Sequence, residues 1–345
     1  MSSIHVLENQ AFLTYLSGIL DAHFFAKGHS EPLRALEVGC GAGHFSRILS
    51  AHYGSKIKIT AIDANENVIK KANELSEGLV EGSVTFKQAD FNKYSDSAPY
   101  DVIVFTKSFH HCLPINEAAK NAWKLLKNNG LIVAEELIRD YPPEHTIQWY
   151  FDHFDPLVAA KVIDPVETLS SGHFGPDPQE QQHQGHHDHG HNHGHEHNHG
   201  HNHGHNHGHN HGHNHGHNHG HGHDHGHSHG GPEAQLQRLN QFCDPKKSAT
   251  ERWNIFYDAT HGLPEKKELI DTIVNVFGNA NTRVTDTLPF IYHHYVFCGQ
   301  VFFSILKDTE EGRAALAKMI ADEEQAVRSG EITPIGMNIV AEKVE

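Results

Sequence analysis

Cysteine is scarce in this chain: four in 345 residues, at Cys40, Cys112, Cys243 and Cys298. They are widely scattered and form no C-x-x-C pair, which excludes a disulfide framework. Reduced thiols of a cytosolic or nuclear protein are the expectation, with the cytoplasm the expected location. Positive charge is also short, 27 Lys plus Arg against 43 Asp plus Glu, for a formal net charge of −16. No cationic excess is available to release counterions from a nucleic-acid backbone, so no nucleic-acid partner is expected. Nowhere do 18 apolar residues run consecutively, so no membrane span is expected either. The first thirty residues carry apolar side chains at helical spacing, broken by His23, Lys27 and His29. They lack the basic start, apolar run and small-residue cleavage site of a secretory leader.

What the chain has in excess is histidine, 37 residues, most of them in one low-complexity tract over 183–231. His-Asn-His-Gly recurs there as an imperfect unit, with His at alternate positions from His187 to His229. A segment with nothing apolar to bury cannot offset its ordering entropy, and disorder is expected. Neutral imidazoles are good ligands for zinc and nickel. His187, His189, His191, His193 and those onward would bind several Ni²⁺ or Zn²⁺ ions weakly and release them as the rings protonate. The few fixed ligands of a structural metal site are missing. A repeat expansion tolerated in an exposed loop, with metal binding incidental, is the competing reading.

Outside the tract, residues 33–137 alternate short β-branched runs with helical patterns. Strands are expected to end at Leu36-Glu37-Val38 and to cover Ile57 to Ile62, Val84 to Phe86, Asp101 to Phe105 and Leu131 to Leu137. Helices are expected over Asn65 to Ser76 and Ile115 to Leu126, the second stopped by Lys-Asn-Asn-Gly. Strand and helix in strict alternation imply an α/β fold, a doubly wound, mostly parallel sheet covered on both faces. Later segments predict helices at Pro264 to Phe277 and Glu310 to Arg328, and strands at Arg283 to Leu288 and Ile335 to Ala341. The domain reading is a helical cap at 1–32, a core at 33–137, a lid at 138–182 continued at 232–263, and the remainder of the core at 264–345. Aromatics at Trp149 to Phe154 and Trp253 to Tyr257 are either core residues or that lid.

The strongest chemical signal is Glu37-Val38-Gly39-Cys40-Gly41-Ala42-Gly43, at the end of a strand and the start of a helix. Alternate glycines let the backbone turn sharply and approach a ligand without Cβ obstruction. A dinucleotide fingerprint competes, but its last glycine position is His44, and no Gly-Lys-Ser/Thr of a P-loop follows. Asp63, with Ala64 after it, closes the second strand, where a carboxylate can accept from both hydroxyls of a ribose. Asp90 and Phe91 follow the third strand, placed to hold and cover a purine. Either aspartate alone could equally cap a helix. After the fourth strand, Thr106 leads into Ser108-Phe109-His110-His111, at the carboxyl edge where open α/β sheets bind ligands.

Together these motifs resemble class I S-adenosylmethionine-dependent methyltransferases, nearest the small-molecule branch, strongly over 35–137 and weakly over 264–343. The resemblance implies a Rossmann-like seven-stranded sheet with an antiparallel last strand and S-adenosylmethionine as cofactor. It puts Glu37, Gly39, Cys40, Gly41 and Gly43 around the methionine end, with Thr106 nearby. Asp63 and Ala64 would face the ribose, and Asp90 and Phe91 the adenine. The Asn-Pro-Pro-Tyr loop of enzymes that methylate amide or exocyclic nitrogens is absent, Thr106-Lys107-Ser108-Phe109 standing instead. The expected reaction is methyl transfer to a small organic acceptor. His110, His111 and His293 are the candidate catalytic groups and Glu136 a further candidate base. The alternative is a Ni²⁺ or Zn²⁺ buffer on a methyltransferase-like scaffold. A protein acceptor, which the acidic balance would favour if basic, is a third reading. Oligomeric state has no signature in the sequence.

Overall fold

The computed structural model describes residues 3–76, 83–137, 140–163, 232–259, 264–287, 291–293 and 306–345. The histidine tract, with its metal and disorder expectations, and Cys298 lie outside these. Helix α1 (Ser3–His23) leads into β1 (Leu33–Val38), α2 (His44–Tyr53), β2 (Ile57–Asp63), α3 (Glu66–Glu74) and β3 (Val84–Gln88). Then come β4 (Tyr100–Thr106), α4 (Ile115–Leu125), β5 (Leu126–Leu137) and α5 (Glu144–Ala159). The chain continues with α6 (Pro232–Phe242), α7 (Ala249–Ala259), α8 (Lys266–Phe277), β6 (Thr282–Asp286), α9 (Glu310–Ser329) and β7 (Gly336–Glu342).

The seven strands form one sheet in the order β3-β2-β1-β4-β5-β7-β6. β1 to β5 run parallel, and β7 is antiparallel to both β5 and β6. The expected α/β, Rossmann-like class with its antiparallel last strand is therefore the fold observed. The order reverses beside β1, which opens a crevice at the carboxyl ends of β1 and β4.

Period-two alternation sorts the core onto the two faces. On β4, Val102 and Val104 face α1 and α2 with Phe12, Leu16, Phe45 and Ile48, while Ile103 and Phe105 face α4 and α8 with Ala118, Ala122, Ile273 and Phe277. A third cluster joins Ile4 to α5, α6, α7 and α9, through Trp149, Tyr150, Phe154, Phe242, Trp253, Leu316 and Met319.

β5 begins at Leu126, five residues before the expected Leu131, because Leu126 already pairs with Tyr100. A bulge between Tyr100 and Val102 absorbs the Lys-Asn-Asn-Gly segment, which ends the helix but not the pairing. The later elements shift by one or two residues at their ends.

Candidate active site

The β1–α2 connection is a glycine turn tied to β2. Ile62 O accepts from the backbone N–H groups of Gly39 (2.8 Å) and Cys40 (3.0 Å), and Cys40 O accepts from Gly43 N–H (2.8 Å). All three glycines sit at positive φ, 69° at Gly39, 51° at Gly41 and 73° at Gly43. Their reasons differ. A Cβ on Gly39 would lie 2.5 Å from Ser108 Cβ, and one on Gly43 2.3 Å from Phe86 Cε1, so those two are small for the protein's own packing. A Cβ on Gly41 would meet nothing within 4 Å among the described residues, which leaves its backbone open to something from outside.

Asp63 braces that open residue. Its Oδ2 accepts from Gly41 N–H and its Oδ1 from Asn65 N–H, both at 2.9 Å. Asn65, not Asp63, caps α3. Each Asp63 oxygen keeps a lone pair for a further donor. Ala64 follows, its carbonyl accepting from Gln88 Nε2 at 3.3 Å. Asp90 caps a single 3-10 turn (Phe91–Lys93) by accepting from Asn92 N–H at 3.0 Å, and it pairs with Lys93 Nζ at 3.0 Å. Phe91 is turned into the α4-side core, edge-on to Phe105 with centroids 5.4 Å apart.

Glu37 is buried under the turn. It accepts from Ser46 Oγ and, at 3.2 Å, from Thr106 Oγ1. Burial outweighs these bonds and pushes its carboxyl up from 4.5 to about 7. The folded state therefore holds a proton that the unfolded chain has given up, and the resulting penalty is absent below about pH 4.5 and complete above about pH 7. We expect Glu37→Gln to gain thermal stability over wild type as pH rises from 5 to 8, by roughly 3 kcal/mol in all. Melting curves at the two ends of that range test this; parallel pH dependence in the two proteins would refute it.

The loop after β4 carries the second constellation. Ser108 Oγ donates to Val38 O at 2.5 Å, locking the loop against the glycine turn. Glu136, fully buried near the end of β5, accepts at Oε1 from Ser108 N–H (3.2 Å) and Phe109 N–H (2.7 Å), and its Oε2 lies 2.5 Å from His110 Nδ1. His110 is 7% exposed, whereas His111 is exposed, its ring 4.1 Å from that of His110.

A third polar group lies on the opposite face of the sheet edge. Lys107 pairs with buried Glu135 at 3.3 Å. Glu8 of α1 accepts from His293 Nδ1 (3.3 Å) and His5 Nδ1 (3.4 Å). Burial would raise the Glu8 carboxyl, but the His293 and His5 bonds override it and hold it at about 2. His293 is lowered by its own burial and by the Lys107 ammonium. His5 stacks on His44, the first residue of α2, at 3.9 Å.

The structure thus sets Glu37 to Gly43, Asp63, and Thr106 to His111 at the carboxyl ends of β1, β2 and β4, and sets His293 on the α1 side. Glu8, His5 and Glu135 went unnoticed in the sequence, and His44 entered only as the place of a dinucleotide fingerprint's last glycine. The pair Glu135-Glu136, two charges closing an apolar strand, was the available signal. Among the described residues no group of three or more His, Cys, Asp or Glu is placed to hold a metal ion. No described helix is long and apolar enough to cross a membrane.

A family model described as a methyltransferase domain matches residues 29–161. Ubiquinone biosynthesis O-methyltransferase of Rickettsia akari (strain Hartford) is 26% identical over 132 residues, 38% of this chain and 50% of that protein. Malonyl-[acyl-carrier protein] O-methyltransferase of Paenibacillus sp. (strain JDR-2) is 25% identical over 111 residues, 31% of this chain and 40% of that protein. The chain spans half or less of the length of these curated relatives. Among solved structures, the plantazolicin methyltransferase BpumL in complex with SAH aligns over 99% of this chain and 84% of that one, with 14% identity and a TM-score of 0.42. Residues 29–161, the stretch that matches the methyltransferase-domain model, carry the five parallel strands, the glycine turn and the loop after β4.

Proposed function

We propose that this chain transfers a methyl group from S-adenosylmethionine to a small organic acceptor. The observation that carries the reading is the open backbone at Gly41, left bare by the protein's own packing and braced by Asp63. The residues fit the cofactor. Glu37, Gly39, Cys40, Gly41 and Gly43, with Thr106, would surround its methionine end; the spare lone pairs of Asp63, beside Ala64, would take the ribose hydroxyls; Asp90 would face the adenine over a floor shaped by buried Phe91. When bound, the sulfonium supplies an electrophilic methyl and its own neutral leaving group, so the protein's tasks are alignment and the exclusion of water.

Acceptor recognition falls to the surroundings of that methyl. His110 and His111 come from the β4 side and His293 from the α1 side, and the helices α5, α6 and α7 with their common aromatic core serve as the cover. In this reading 33–137 and 264–345 form the core, 1–32 the cap, and 138–182 with 232–263 the lid.

Calorimetric titration with S-adenosylmethionine and with its demethylated product tests the assignment. Wild type gives saturable heat, and Asp63→Ala, which loses both the ribose acceptors and the brace on Gly41, binds at least tenfold more weakly, at least ~1.4 kcal/mol. Absence of heat from wild type, or equal affinity in the variant, refutes it.

A further inference from the structure

The last residues of β5 put two carboxylates side by side, and strand geometry sends them to opposite faces of the sheet. Glu135 goes to the α1 side and pairs with Lys107. Glu136 goes to the α4 side, where nothing cationic but His110 meets it in any described ion pair. Its Oε1 is committed to two backbone N–H groups, so it presents an acceptor oxygen to His110 Nδ1 at 2.5 Å. That contact assigns the imidazole tautomer: the proton sits on Nδ1, and Nε2 carries the lone pair. Nε2 makes no described hydrogen bond, yet it is not among the buried atoms lacking a partner, so it reaches open space. The 3-10 turn bearing it (Phe109–His111) follows Ser108, the residue packed on Gly39.

We propose that His110 Nε2 is the proton acceptor of the methyl transfer and that Glu136 is its positioning residue. The substrate class follows: a nucleophile that arrives carrying its proton, a hydroxyl, phenol or protonated amine, and not a thiolate or a tertiary amine. This inference rests on the methyl-transfer reading above. In the step, a lone pair on the acceptor oxygen, or on a protonated amine the pair freed as its N–H bond breaks, forms the new bond to the methyl carbon, and the carbon–sulfur bond breaks with its electron pair staying on the sulfur of the sulfonium donor. The acceptor's proton passes to His110 Nε2. The imidazolium so formed faces the Glu136 carboxylate, and its proton then leaves to solvent. His111, exposed and without a described carboxylate partner, lacks this arrangement, and His293 directs its Nδ1 at Glu8 instead.

Glu136→Gln tests the assignment at nearly constant volume. The amide keeps a carbonyl oxygen for the two backbone N–H groups and turns its NH₂ toward His110, which drives the ring to the Nε2–H tautomer. Long-range ¹H–¹⁵N spectra of histidine-labelled protein, with His110→Gln identifying the signal, should show Nε2 unprotonated in wild type and protonated in Glu136→Gln. Donor heat should be unchanged in the variant. Transfer of label from methyl-labelled S-adenosylmethionine into a small-metabolite extract should fall about 10²- to 10⁴-fold. The pH profile of the variant should become a steady rise with hydroxide, unlike that of wild type. A protonated Nε2 in wild type, an unchanged profile in the variant, or label delivered to thiolates or tertiary amines would overturn the proposal. Absence of donor heat from wild type would instead remove the methyl-transfer reading beneath it.

Discussion

Gly39→Ala and Gly41→Ala should fail in opposite ways although they lie two residues apart in one turn. At Gly39 the added methyl lands 2.5 Å from Ser108 Cβ, at a φ of 69° that an alanine adopts only with strain. Ser108 cannot retreat freely, because its hydroxyl is bonded to Val38 O and its N–H to Glu136. Strained backbone and overpacking together cost roughly 2–4 kcal/mol, so this variant should melt several degrees lower. It should also disturb His110 through Glu136. At Gly41 there is no clash, only a φ of 51°, and the stability loss should stay near 1 kcal/mol. Its methyl would occupy the space assigned to the donor, and donor affinity should drop more than tenfold. Paired melting and calorimetric measurements separate the two effects. Normal donor affinity in Gly41→Ala would mean that the open side of the turn is not where the cofactor lies.

The largest stability loss away from the crevice is expected at Arg252. Its side chain is 2% exposed, and its guanidinium donates to both oxygens of Asp155 at 2.9 and 2.6 Å and lies 3.8 Å from the Phe151 ring centre. Its Nε also donates to Phe242 O at 2.6 Å. One side chain of α7 thereby ties α5 to the end of α6. Arg252→Ala leaves a cavity and an orphaned carbonyl as well as an unpaired carboxylate. Asp155 retains some solvent, which moderates the loss, and we expect about 3–5 kcal/mol, or roughly 10 °C in melting temperature. Arg252→Lys should recover only part, because an ammonium cannot span both oxygens of Asp155 and reach Phe242. A melting temperature within 2 °C of wild type for Arg252→Ala, on the order of 1 kcal/mol at most, would show that the three helices hold together without this residue.

The parallel half of the sheet was legible because its signals are local. A β-branched run followed by glycines or an acid needs only its own neighbours to be recognised, and Asn65 to Ser76 or Ile115 to Leu126 carry their own helical periodicity. Contacts closed over long stretches were not legible. Glu8 meets His293 across 285 positions, Arg252 meets Asp155 across 97, and no periodicity in either segment announces the partner. The placement of β7 between β5 and β6 is a matter of tertiary packing of the same kind. At the site, the glycines and Asp63 stood out by residue type, but the difference between Gly39 or Gly43 and Gly41 lies in what surrounds each Cβ. Phe91 is buried and edge-on to Phe105, a core contact that its place next to a candidate acid does not announce. The start of β5 was misplaced because Lys-Asn-Asn-Gly is the chemistry of a helix end, and a bulge lets such a segment remain within a ladder.

That bulge also divides β5 into a forgiving end and an unforgiving one. Near Leu126 the ladder already tolerates an irregularity, so a one-residue insertion there has somewhere to go. From Leu131 to Leu137 the strand is paired on both edges, with β4 as far as Glu135 and with β7 throughout. A slip of one residue in that stretch would send the two neighbouring acids to the opposite faces, and where Leu137 takes the place of Glu136 the imidazole is left beside an aliphatic side chain. Length variation in this protein should therefore be found before Leu131 and not between there and the strand's end.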